Sequence, residues 1–123
     1  MDTIGITIDC SADEVDDLVA FWAAALGYEQ VLPRYLVDPA GVRPRLSFEV
    51  VPEPKVAKNR WHFDLKVGGG RDVPLDVRTQ RVIATVERLV TAGATVLRIK
   101  DEPEMGFYAA AMQDPEGNEF DVV

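Results

Sequence analysis

His62 is the only histidine of this chain, and with Glu49 and Asp121 it falls on strand-like segments at corresponding phases of an internally repeated unit. Each of the three stands opposite in phase to apolar neighbours: Glu49 against Leu46, Phe48 and Val50, His62 against Trp61, Phe63 and Leu65, Asp121 against Phe120 and Val122. That phase predicts a polar sheet face on which the three converge in a concavity. Imidazole and carboxylate are the side chains that exchange protons and ligate divalent cations. Acids crowded together without a counter-ion hold a proton more readily and can then serve as general bases. The same groups also suit an open, solvated sheet face, with His62 held by the neighbouring Asp64.

The elements that must position these residues follow from hydrophobic period. Ile4, Ile6 and Ile8 alternate with Thr3, Gly5, Thr7 and Asp9, which predicts a strand with one open face. Ser11-Ala12-Asp13-Glu14 has the form of a capping box, so a helix is expected over 13–26. Its stripe is Val15, Leu18, Val19, Trp22, Ala25 and Leu26, and Gly27 ends it. Short strands are predicted over 28–32 and 34–38, separated by Pro33, then Asp38-Pro39-Ala40-Gly41 turns the chain into a strand over 46–51. The order then repeats. A strand is expected over 61–67, the glycines Gly68-Gly69-Gly70 with Pro74 read as a mobile connection, and a helix over 79–92 carries Val82, Ile83, Val86, Leu89 and Val90. Strands over 95–100, 107–113 and 119–123 close the second half, with Asp114-Pro115-Glu116-Gly117 before the last. The reading is α+β: two βαβββ units forming a cup-shaped mixed sheet, unit one over about 1–52, a linker over 53–59 and unit two over 60–123, in a single domain. Two repeats this short must share a core, since neither buries its apolar face alone.

Composition narrows the partners. A formal charge of −8 with no basic stripe excludes a nucleic-acid backbone as partner, and Lys55, Lys58 and Arg60 read as a solvated loop. Cys10 is the single cysteine, which excludes an intramolecular disulfide, and after an apolar strand it reads as a buried, inert thiol. No basic leader or membrane-length apolar run is present, so the expectation is a cytoplasmic protein without a membrane partner. The acidic, proline-containing segment Lys100 to Gly106 has no counterpart in the first half and reads as a candidate lid.

Three stretches carry a family resemblance: Phe21-Trp22-Ala23-Ala24-Ala25-Leu26-Gly27-Tyr28, Lys58-Asn59-Arg60-Trp61-His62-Phe63-Asp64-Leu65, and Asp114-Pro115-Glu116-Gly117-Asn118-Glu119-Phe120. In this order, around two βαβββ units, they resemble the glyoxalase-like proteins of the vicinal oxygen chelate superfamily, which includes glyoxalases, fosfomycin and bleomycin resistance proteins and extradiol dioxygenases. That scaffold hosts many chemistries, so the resemblance implies a fold and not one reaction. Its metal-using members take ligands from the first and last strands of each unit. Carried onto this chain, the resemblance implies His62, Glu49 and Asp121 as metal ligands. Asp121 stands where such members commonly have glutamate, and the first strand offers only Thr3 or Gly5 at the fourth position. Zinc, nickel, iron or manganese would suit an imidazole with two carboxylates, with positions left for substrate oxygens.

Two functions follow as expectations. One is a metal-dependent lyase, isomerase or oxygenase acting on a small substrate with adjacent oxygens, Glu49 being the catalytic proton carrier. The other is a metal-free protein that sequesters an antibiotic or another amphipathic small molecule, with Tyr35, Phe107 and Tyr108 as aromatic candidates for its walls. The resemblance also implies a homodimer.

Overall fold

In the computed structural model, which describes residues 3–123, the chain divides into two compact units, one running to Val56 and the other spanning Ala57–Val123. Unit one contains β1 (Gly5–Cys10), α1 (Val15–Leu26), β2 (Glu29–Leu32), β3 (Tyr35–Val37) and β4 (Arg45–Val50). Unit two contains β5 (Phe63–Leu65), α2 (Leu75–Thr91), β6 (Thr95–Glu102), a 3₁₀ turn at Pro103–Met105, β7 (Phe107–Gln113) and β8 (Glu119–Val122). The βαβββ order therefore occurs twice. Each unit carries a four-stranded mixed sheet, ordered β1-β4-β3-β2 in the first and β5-β8-β7-β6 in the second. First and last strands pair in parallel in both, and the remaining pairs are antiparallel.

Strand alternation sorts each sheet into an apolar and a polar face. In unit one Leu36, Leu46 and Phe48 are buried, and α1, which packs on β3 and β4, is buried through Leu18, Val19, Phe21 and Trp22. In unit two Met112, Phe120 and Val122 are fully buried on the sheet, and α2 contributes Val82 and Leu89. Each such side chain contributes roughly 1.5–3 kcal/mol through removal from water, so these faces drive the two units' folding. The opposite faces are polar, and the candidate functional residues lie there.

The helix ends differ from expectation in instructive ways. The Ser11 capping box does not form: the Glu14 amide donates to the Ser11 backbone oxygen at 3.3 Å, within a turn, and α1 starts at Val15 with Asp16 and Asp17 in its first turn. The acids complement the helix dipole instead of a hydroxyl cap. Gly27 ends α1 with φ 68° as expected. Helix α2 begins at Leu75, four residues before the expected Thr79, because Pro74 serves as N-cap and Arg78 donates its amide to the Pro74 oxygen at 3.0 Å. The Gly68–Gly70 connection, expected to be mobile, makes hydrogen bonds to α2. Arg81 Nη1 donates to the Gly68 oxygen at 2.8 Å and Arg78 Nε to the Val73 oxygen at 2.9 Å, so two α2 arginines satisfy the carbonyls of the loop.

Part of the expected lid is strand. Lys100, Asp101 and Glu102 pair in register with Ala109, Tyr108 and Phe107, and only the 3₁₀ turn and Gly106, at φ 62°, separate β6 from β7. Cys10 is buried with its thiol 3.4 Å from the Glu49 carbonyl oxygen, in keeping with an inert role.

Candidate metal centre

Strand β5 is shorter than expected, and His62 stands one residue before it. The strand phase nevertheless carries through. Asp64, two residues on, shares His62's side of the chain, and His62 Nδ1 lies 3.0 Å from Asp64 Oδ1. Parallel pairing of β5 with β8 makes Asp64 the direct register partner of Asp121. Ligand atoms of His62, Asp64 and Asp121 all lie within 4.8 Å of one another. Two of the three expected ligands are therefore brought together, and Asp64 joins them.

Glu49 lies in the other unit, exposed on β4 and register partner of Asp9 on β1. Its strand phase is as expected, since Leu46 and Phe48 are buried on the opposite face. In unit one the register pair equivalent to Asp64 and Asp121 is Thr7 and Ser47, whose hydroxyls bond to each other at 2.8 Å. The equivalence is anchored by Asp38 and Asp114, each two residues past a buried strand residue, Leu36 or Met112, that pairs with Leu46 or Phe120. One unit thus offers acids where the other offers neutral hydroxyls.

Two adjacent carboxylates on neighbouring strands repel, and each has a basic partner. His62 serves Asp64, and Lys100 Nζ lies 3.1 Å from Asp121 Oδ2, both side chains partly buried. Lys100 sits on β6, one strand beyond β7, and pairs with Ala109, while Ala111 pairs with Asp121. The small side chains of Ala109 and Ala111 leave the lysine stem a path across β7 to the acid. Sequence reading assigned Lys100 no role at the site. The available signal was its strand phase, shared with Arg98, opposite two alanines.

The donor set fits a divalent cation. An imidazole and carboxylate oxygens bind such ions at about 2.0–2.2 Å, which sets ligand atoms roughly 3–4.5 Å apart, so donors within 4.8 Å need only small side-chain adjustments. His62 Nδ1 stands 3.0 Å from Asp64 Oδ1, near enough for the carboxylate to hold the imidazole in place, as carboxylates beside metal-bound histidines do. Of the aromatic candidates, Tyr35 lies on unit one's polar face opposite Ser47, beneath the Arg45 guanidinium at 5.4 Å, while Phe107 and Tyr108 lie on opposite faces of β7. Lys58 is not merely solvated, since its ammonium lies 2.9 Å from Glu119 Oε2, which also accepts from the Asn59 amide at 3.0 Å.

Two mixed sheets, each with a helix on one face and the βαβββ order, define a glyoxalase-type α+β fold. The chain belongs to the glyoxalase-like domain family, whose model matches residues 5–123. Among curated proteins none matches the sequence significantly. Solved structures share its fold at low identity. A glyoxalase/bleomycin resistance protein/dioxygenase family enzyme from Burkholderia phytofirmans is 16% identical, with 94% of each chain covered and a TM-score of 0.66. The fosfomycin resistance protein FosX from Listeria monocytogenes, as an E126Q mutant complexed with Mn(II) and 1S,2S-dihydroxypropylphosphonic acid, is 11% identical, with 96% of this chain and 85% of that one covered and a TM-score of 0.67. A lactoylglutathione lyase from Agrobacterium tumefaciens is 19% identical, with coverages of 98% and 92% and a TM-score of 0.58.

Proposed function

We propose that this protein binds a divalent metal ion through His62 and Asp121, with Asp64 orienting the imidazole, and acts as a lyase, isomerase or oxygenase on a small substrate with adjacent oxygens. The mutual approach of His62, Asp64 and Asp121 within 4.8 Å carries the reading. The Mn(II) complex of the FosX relative supports it. In this reading Glu49 completes the ligand set or carries a proton to and from substrate carbon, and two copies form a homodimer. When bound, the ion would polarise a substrate oxygen as a Lewis acid. The chain's own contribution is to hold His62 beside Asp64, keep the carboxylates in register and exchange a proton at the Glu49 carboxylate.

The experiment is metal titration of purified, chelator-stripped protein followed by the same measurement on His62→Ala. The expected outcome is stoichiometric uptake of Mn²⁺ or Ni²⁺ that the variant loses, since it removes the only imidazole. Uptake unchanged in the variant would overturn the assignment.

A second reading has one observation in its favour. Lys100 already neutralises Asp121 at 3.1 Å, as a metal-free binding protein for an amphipathic small molecule would require. Absence of any metal uptake by the stripped protein would select this alternative.

A further inference from the structure

One of the carboxylates of the candidate metal centre already holds a cation of the chain itself, the Lys100 ammonium. We propose that Lys100 is a built-in competitor for Asp121, which sets the affinity of the centre for a divalent ion. The proposal rests on the metal reading above. Lys100 Nζ lies 3.1 Å from Asp121 Oδ2, on one of the three clustered ligand groups. The contact is not between register neighbours: it crosses the whole of β7, from β6 to β8, over Ala109 and Ala111. Lys100 is the one residue of β6 that is half-buried and not exposed, as expected for a stem laid along the sheet with its charge at the acid.

The consequence is electrostatic. Without the ammonium, Asp64 and Asp121 present two negative charges side by side. With it, the acid pair is compensated and a divalent ion must displace or tolerate a positive charge a few ångströms away. Coulomb repulsion at that distance, in a partly solvated site, corresponds to roughly a tenfold loss of affinity. Lys100 thus acts on the metal through Asp121 and is a positioning residue.

The test is Mn²⁺ binding to the whole chain, with free Mn²⁺ counted by electron paramagnetic resonance, for wild type, K100M and K100R. The expected result is about tenfold tighter binding by K100M, wild-type affinity in K100R, which restores the charge, and a K100M advantage that shrinks as ionic strength rises. Should K100M fail to fold, K100Q keeps a polar stem without charge and reads the same effect. If wild type binds Mn²⁺ and the neutral variants bind it no more tightly, the Lys100 proposal is overturned and the metal centre stands. If neither wild type nor the neutral variants bind, the metal centre itself is overturned, and the proposal with it. Binding by K100M alone supports competition in its strongest form.

Discussion

Asp64 is the carboxylate set against the Nδ1 side of the His62 ring. Its Oδ1 lies 3.0 Å from Nδ1, and an amide in its place would hold the ring less firmly and lower its basicity. Asp64→Asn is therefore expected to weaken metal binding by about 10–100-fold, read by the same Mn²⁺ titration, with the fold intact because the side chain is solvent-exposed. Asp38 shows a carboxylate used for structure alone. The Arg43 amide, then the Ala40 amide, together with the Arg43 side chain and the Val42 amide, hold its pKa down to about 2 from 3.8. A group with a depressed folded pKa contributes stability that is present above its ordinary value and lost as pH falls toward the folded one. Asp38→Asn, which replaces one accepting oxygen by a donor, should therefore melt below wild type at pH 6, with the gap closing between pH 4 and pH 2. A gap independent of pH would refute the ionic contribution.

At the scale of elements, the helix C-termini carry the most specific backbone demands. Gly27 ends α1 at φ 68° with no atom within 4 Å of where a Cβ would stand, so Gly27→Ala meets only the left-handed backbone penalty of about 1–2 kcal/mol. Gly93, after α2, has φ 119°, beyond the left-handed region that L-residues can reach, and a Cβ there would lie 3.3 Å from Pro115 Cγ. Gly93→Ala is therefore expected to cost more than Gly27→Ala in urea denaturation, and equal midpoints would show that α2 unwinds to relieve the strain. Why α2 begins early is also an element-scale matter. Proline in front of Leu75 and Asp76 in the first turn are start signals that the apolar stripe, which begins at Val82, does not include.

At the scale of the whole molecule, each sheet has two edge strands, and one in each, β2 or β6, carries exposed apolar residues: Val31 and Leu32 on one, Val96, Leu97 and Ile99 on the other. Unpaired edges of this kind are covered in stable assemblies. Under the proposed homodimer, light scattering at micromolar concentration should give twice the 13.6 kDa chain mass, and a monomer mass would dispose of the dimer.

What the amino-acid sequence determined by itself is what local period and turn chemistry encode. The βαβββ order, the buried stripe of α1 with Trp22, the left-handed Gly27 and the polar phase of Glu49, Asp64 and Asp121 all follow from alternation along single segments. Tertiary structure alone decided which segments become neighbours. Parallel pairing of β5 with β8 put Asp64 directly beside Asp121, though 56 residues of other structure lie between them, and the β6-β7-β8 order brought Lys100 to the same carboxylate. Local sequence carries a side chain's face but not its cross-strand partner, because register is set by the packing of whole strands against a helix, and the charge balance of the centre exists only once that register is made.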